Sequence, residues 1–333
     1  MTNNAILYSS AELPENTRFD VWRETFAKEM AGFDMRHCDV RPFYTKASFR
    51  ALGAVSLATN LSTAMLFDRN QQNIAHDGLD GFALPLCVNG KLEISQGKTR
   101  MSMRKDRAAL VDFGRALNGG LAPTAPGEHQ FQMSLCLPRG EFLHRVPKAE
   151  CLTMQPFENK EALSLLINYL RMLDRQELEP SADLDRLVGE HVLDLAAFLC
   201  GSCSNDDAAS GGVRAARKAA LTDYIEKHFR QPGLSVADIA TALKISKRYL
   251  YALLNENNES VTQILNRLRL ECAARMLTSP IYRQLSITDI ALHSGFNDVS
   301  YFYRQFRRRF GETPNDFRSR TQATPSKSID KPR

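Results

Sequence analysis

The stretch Leu234-Ser235-Val236-Ala237-Asp238-Ile239-Ala240 recurs as Leu285-Ser286-Ile287-Thr288-Asp289-Ile290-Ala291, an offset of 51 residues. Each copy reads Ser-x-x-Asp ahead of an apolar pattern. The serine hydroxyl can accept the third backbone N–H of a helix while the aspartate reaches back, so each copy predicts a capped helix start. Each places a small alanine after isoleucine, where a second helix can cross closely. A short polar break follows each, then another amphipathic helix. The first break centres on Lys244-Ile245-Ser246, with Leu250, Leu253 and Leu254 on the inner face; the second is Ser294-Gly295-Phe296-Asn297, with Phe302, Phe306 and Phe310 inside. Helix, tight turn, helix is the helix-turn-helix unit. One copy is a weak signal, but two at a fixed offset are specific.

Residues 261–279 lie between the copies, with Ile264, Leu265, Leu268, Ala273, Met276 and Leu277 at helical spacing and Pro280 as the stop. About 17 helical residues make a strut of roughly 25 Å. Two recognition helices held apart by it can enter successive major grooves of double-stranded DNA, which repeat every ~34 Å.

Charge divides the 333 residues the same way. Residues 1–213 carry 22 Lys and Arg against 27 Asp and Glu, whereas residues 214–320 carry 18 against 10. A basic second part is a candidate polyanion binder. Just before it, residues 201–213 are small, polar and glycine-rich and read as a linker; residues 321–333 read as a disordered tail. No run reaches the ~18–20 apolar residues of a membrane span. The start lacks a basic segment followed by an apolar run, and seven cysteines form no disulfide framework, so a cytoplasmic, reducing setting is expected.

The first 200 residues read differently. Residues 14–31 suggest a helix, with Phe19, Trp22, Arg23 and Phe26 on one stripe. Short apolar runs follow at 48–57, 61–67, 81–88, 92–96, 108–113 and 130–137, and Asn89-Gly90 is a hairpin signal. Many close, short strands over about 36–150 suggest a sandwich or a barrel. Amphipathic helices return at 161–175 and 182–199. They can pack on the β-region, on each other, or on a second chain, in which case Leu184, Leu187, His191 and Leu195 form the dimer face.

The segments Ser286-Ile287-Thr288-Asp289-Ile290-Ala291, Ser294-Gly295-Phe296-Asn297-Asp298, Ser300-Tyr301-Phe302-Tyr303-Arg304-Gln305-Phe306-Arg307 and Gly311-Glu312-Thr313-Pro314 closely resemble the AraC/XylS family signature. So does Arg269-Leu270-Glu271-Cys272-Ala273, and the resemblance covers about 217–320. A fainter one links Arg69, Asp77, Asp80, Phe82, Gly90, Gln96, Asp112 and the run from His191 to Leu195 to the sensor domain of XylS-like regulators. It implies an α+β multidomain chain. A cupin-like β-barrel with flanking helices fills residues 1–200, barrel about 36–150 and helices about 157–200, for effector sensing and dimerisation. An all-α domain with two helix-turn-helix units fills residues 214–320. It further implies a transcription activator that is not an enzyme and needs no cofactor or metal. The implied partners are double-stranded DNA, a small organic effector (often an aromatic acid or amine), a second copy of the chain and RNA polymerase.

By the same resemblance Arg248, Tyr251 and Ala252 in the first unit, and Val299, Ser300 and Arg304 in the second, face bases. An arginine fork suits guanine O6 and N7. Lys247, Tyr249, Asn255, Tyr303, Arg307 and Arg308 are backbone-contact candidates. The consecutive Arg307, Arg308 and Arg309 span about 200° of a helix, so they cannot share one groove. In the barrel, Phe67, Arg69, Phe82, Leu84 and Met101 are effector-pocket candidates. Arg69 could pair with an effector carboxylate, or with Asp77, Asp80 or Asp112. Two rival readings stand beside this one. The first domain could dimerise or bind a protein without sensing, or be a cupin-type oxygenase. His37, His76, His129 and His144 form no metal-ligand spacing, and Cys200-Gly201-Ser202-Cys203 lacks the second pair of a zinc site.

Overall fold

The computed structural model describes residues 5–27, 32–105, 107–157, 159–175, 181–201, 211–254 and 259–322. Contacts within the chain divide it into two units, Met1–Ala216 and Arg217–Arg333. The first unit opens with β1 (Ala5–Ser9), α1 (Arg18–Trp22, prolonged by a π turn over Arg23–Ala27), β2 (Asp34–His37), β3 (Thr45–Leu52), β4 (Val55–Ser62) and β5 (Met65–Arg69). It continues with α2 (Gln71–Asp77), β6 (Gly81–Asn89), β7 (Lys91–Gln96), β8 (Thr99–Arg104), β9 (Arg107–Ala108), β10 (Val111–Asp112), β11 (Leu117–Ala122) and β12 (Gln130–Pro138). Three helices follow: α3 (Arg139–Arg145), α4 (Lys160–Arg175) and α5 (Ala182–Leu199).

Two antiparallel sheets result. One runs β1-β3-β4-β12-β6-β10, with β9 also on β6; the other runs β2-β5-β11-β7-β8. A single buried cluster takes Ala83 and Val111 from the first sheet and Met65, Leu92, Ile94 and Leu117 from the second, so the sheets face each other as a flattened, cupin-like barrel. Period-two alternation fixes which side chains enter it. The apolar runs read from sequence at 48–57 and 61–67 each bridge a turn, because apolar residues continue through the β3–β4 and β4–β5 corners. Asn89-Gly90 is a corner rather than a hairpin: β6 belongs to the larger sheet and β7 to the smaller. Gly90 takes φ +104°, and a Cβ there would lie 2.6 Å from the Ala122 carbonyl oxygen. The helix expected over 14–31 is shorter, starting at Arg18, and 28–31 lie outside the described residues.

The charge of Arg69, fully buried at the end of β5, is satisfied inside the fold. Its guanidinium donates to Asp77 Oδ2 and Oδ1 at 2.5 and 2.9 Å, to the Phe113 carbonyl at 3.1 Å and to the Gly32 carbonyl at 3.0 Å. Burial pushes the Asp77 carboxyl up, but the Arg69 hydrogen bonds, the Leu79 N–H and the nearby cations hold it below its usual value. A carboxylate with a depressed pKa stabilises the fold above its unfolded value and loses that contribution as pH falls through the folded one. Asp80 and Asp112 pair instead with Arg139, at 2.5 and 2.6 Å.

The second unit is helical. α6 (Gly211–His228) takes in Gly211–Val213, which composition alone places in a linker; residues 202–210 lie outside the described residues. The first turns of α6 still belong to the first unit, where the Gly212 N–H donates to Asp194 of α5 at 3.3 Å. Then come α7 (Val236–Ala242), α8 (Lys247–Leu254), α9 (Val261–Thr278), α10 (Ile287–His293), α11 (Val299–Phe310) and α12 (Pro314–Gln322). Thus α12 extends two residues into the segment read as a tail, and 323–333 lie outside the described residues. No helix among the described residues is long and apolar enough to cross a membrane.

Both expected caps form. Ser235 with Asp238, and Ser286 with Asp289, make reciprocal capping boxes on α7 and α10. Each helix pair has its own core, Ile239, Leu250 and Leu253 in one and Ile290, Phe302 and Phe306 in the other, and Phe229 packs against both. Gly295, in the second turn at φ +95°, lies so close to this segment that a Cβ would sit 2.8 Å from the Phe229 oxygen and 2.9 Å from Arg230 Cα. The equivalent position in the first turn is Lys244, also left-handed at φ +53° but exposed. From α9, Arg269 donates to the Phe229 and Gln231 carbonyls at 2.7 and 3.0 Å.

Two stability measurements check these readings. Arg69→Met should cost about 1–3 kcal/mol by leaving the half-buried Asp77 without its ion partner, and adding Asp77→Leu should restore most of it. Equal instability of the single and double variants in urea denaturation would remove the ion pair from the account. Gly295→Ala should cost about 1–3 kcal/mol, from strain and the clash at Phe229. Lys244→Gly should shift stability by less than about 1 kcal/mol, and equal effects at the two turns would contradict the crowding argument.

Candidate nucleic-acid interface and sensor cavity

In each helix pair of the second unit, the second helix presents its cationic side outward. On α8, Lys247 and Arg248 are exposed, and Tyr251 is 49% exposed although aromatic. On α11, Ser300, Arg304, Arg307, Arg308 and Arg309 are exposed. Arg309 meets Glu271 of α9 at 3.4 Å. Among the described residues no carboxylate lies within ion-pair distance of Lys247, Arg248, Arg304, Arg307 or Arg308. Their charges therefore face solvent.

Other candidates divide by burial. Ala252 and Val299 are half-buried at the edges of their helices. Tyr249 is a packing residue rather than an outward contact: it joins the first core, its hydroxyl is buried without a hydrogen bond, and Arg217 of α6 stacks over its ring at 5.1 Å. Tyr303 is half-buried against the second core, edge-on to Phe302. Asn255 lies outside the described residues. Sequence reasoning missed the support behind α11. Tyr301 accepts a hydrogen bond from Asn266 of α9 at 2.6 Å, and the Arg304 guanidinium sits 5.9 Å over the Tyr301 ring. The guanidinium of Arg304 thus rests on the Tyr301 ring while the residue stays exposed. The cap carboxylates Asp238 and Asp289 are held below their usual range by hydrogen bonds from Ser235 and Ser286, so both helix starts weaken as pH falls through those lowered values.

The barrel holds a partly open cavity of about 160 Å³. Phe67 lines it, but Phe82 and Leu84 do not. Alternation on β6 turns Ala83 and Pro85 inward, so Phe82 and Leu84 face the other side, where Phe82 packs on Phe142 of α3 at 5.7 Å. Met101, on the edge strand β8, packs against the barrel core without reaching the cavity, and Arg69 is consumed by Asp77. Sequence reasoning missed Phe33 and Phe113; the Phe33 ring stands 5.5 Å from Phe67 and 5.6 Å from Phe113. It also missed Asn60, Gln132 and Ser134 on the opposite wall. Their signal was legible in principle: Gln132, Ser134 and Cys136 alternate with Met133, Leu135 and Leu137 along β12.

Of the dimer-face candidates, Leu184 and Leu187 are 37% and 50% exposed. Leu195 is fully buried, on the core side of α5. His191 bonds the Tyr169 hydroxyl of α4 through Nδ1 at 2.9 Å, and burial lowers its pKa against the opposing pull of Asp194 and Glu190.

Comparison with known proteins agrees with this anatomy. The helix-turn-helix domain family matches residues 239–320, and the AraC-binding-like domain family matches residues 22–200. The transcriptional activator RhrA of Rhizobium meliloti is 29% identical over 170 residues, 51% of this chain and 50% of that protein. The transcriptional activator NphR of a Rhodococcus species is 35% identical over 94 residues, 28% of this chain and 27% of its own length. The chain thus spans half or less of these two relatives. The crystal structure of the AraC-like transcriptional activator CuxR superposes with a TM-score of 0.50 at 17% identity, covering 87% of this chain and 99% of that one. That likeness concerns the fold. An AraC-binding-like barrel and a doubled helix-turn-helix on one chain place this protein in the AraC/XylS family.

Proposed function

We propose that the protein is a sequence-specific DNA-binding transcription regulator, an activator, that acts in the cytoplasm as a homodimer and responds to a small organic molecule held in the barrel. It is no enzyme in this reading. The observation that carries it is the pair of capped helix-turn-helix units whose second helices present Lys247, Arg248, Arg304, Arg307 and Arg308 outward, with no carboxylate partner among the described residues. Arg248 and Tyr251 on α8, and Ser300 and Arg304 on α11, read base edges in two successive major grooves. Lys247, Arg307 and Arg308 contact phosphate. Ala252 and Val299 add apolar contact, each able to meet a thymine methyl. RhrA and NphR are both named activators, which favours activation, with RNA polymerase as the further partner. Exposed Leu184 and Leu187 favour α5 as the contact with a second copy.

The effector acts by population shift. A ligand moves an equilibrium only by its differential affinity for the two states. The cavity must therefore differ between the arrangements that do and do not activate.

Selection from random duplex DNA with the full chain should enrich an asymmetric motif of two elements about 10 bp apart. Enrichment of nothing above a salt-sensitive background would overturn the reading. Arg304→Ala should cost about 1–3 kcal/mol at the selected site and relax preference at one base pair. Arg308→Ala should weaken binding to all sequences alike and reduce the salt slope by about one unit. A sequence-selective loss for Arg308→Ala would assign it to a base instead.

A further inference from the structure

The barrel cavity has two unlike walls. The smaller sheet contributes only apolar side chains, among them Met65, Phe67 and Ile94, with Phe33 and Phe113 closing one end. The larger sheet contributes a polar stripe. Asn60 of β4 stands directly opposite Gln132 of β12, and Ser134 and Cys136 follow on the same face of β12. Gln132 Oε1 is buried and has no hydrogen-bond partner. A buried amide atom left without a partner is costly, and a ligand group can supply one.

Among the described residues lining the cavity, none is Asp, Glu, Lys or Arg. The nearest candidate for an effector's carboxylate, Arg69, spends its guanidinium on Asp77, Phe113 and Gly32. Burial pushes the Cys136 thiol up, against weaker opposing pulls from Ser56 and Arg69, so the sulfur stays protonated and neutral. The volume matches that of an engineered apolar cavity of about 150 Å³ that takes up benzene.

From these walls we propose that the cavity selects an uncharged, single-ring compound bearing one hydrogen-bonding substituent, an amide or a hydroxyl, and rejects the corresponding acid and amine. This rests on the reading that the barrel is a sensor, and it narrows the ligand. The ring lies against Phe33, Phe67 and Phe113, whose edges and faces suit an aromatic partner. The substituent meets Asn60, Gln132 and Ser134. A carboxylate or ammonium would be desolvated there without a counter-charge, and full burial of such a group shifts its pKa by up to 3–5 units. In a cavity only partly closed the ionised form would bind at least about tenfold more weakly than the neutral one.

Thermal melting and calorimetry of the full chain at neutral pH with benzamide, benzyl alcohol, toluene, benzoate and benzylamine test this. Benzamide and benzyl alcohol should raise Tm, with benzoate and benzylamine at least about tenfold weaker. Ala83→Phe, which fills the cavity from β6, should abolish the effect. Gln132→Leu should weaken benzamide roughly two- to tenfold while sparing toluene. Benzoate or benzylamine binding as tightly as benzamide would overturn the proposal and leave sensing intact. Binding unchanged by Ala83→Phe would likewise overturn it, because the site would lie elsewhere. No response to any of the five would count against sensing in the barrel itself, and the proposal would fall with it.

Discussion

Two helix-turn-helix units on one chain can read one duplex together only if their separation is held. The backbone from Phe229 to Gln231 provides that hold within the second unit. The Phe229 ring belongs to both helix-pair cores. Its carbonyl takes the Arg269 side chain from the strut helix, and Gly295 leaves room for it at the second turn. Burial lowers the Arg269 pKa, with Tyr301 pulling the other way, and its hydrogen bonds compensate for that desolvation.

The barrel obeys a different constraint. Each strand has two faces; both are buried along β6, whereas β12 alternates between buried and half-buried residues. One face lies under the helices and the other fills the cavity. A hydrophobic run alone cannot say which residue faces which way, because one step reverses every assignment. That ambiguity accounts for Phe82 and Leu84, which are fully buried but on the outer face.

How much was legible in the sequence follows from these two constraints. The second unit was readable because its signals are local: serine and aspartate three residues apart, a short polar break, apolar residues at helical spacing. The barrel strands were readable as runs, but their sheet partners were not. Asn89-Gly90 has hairpin chemistry, yet the flanking strands part into opposite sheets, a fact set by Ala122 and Gln130 some thirty to forty residues away. Arg69 was correctly suspected of an ion pair, but the choice among Asp77, Asp80 and Asp112 depends on where Arg139 lies. Tyr249 looked exposed by position and is drawn inward by Arg217, from a helix the motif does not include.

The unequal turns of the two units carry an evolutionary consequence. If both arose by duplication, they did not inherit equal freedom. The second turn is confined to glycine by the backbone at Phe229 and Arg230, whereas the first accommodates Lys244 in the open. Substitutions that tilt or re-space a recognition helix can therefore accumulate in the first unit without disturbing the frame. The first turn thus tolerates side chains that the backbone at Phe229 and Arg230 excludes from the second.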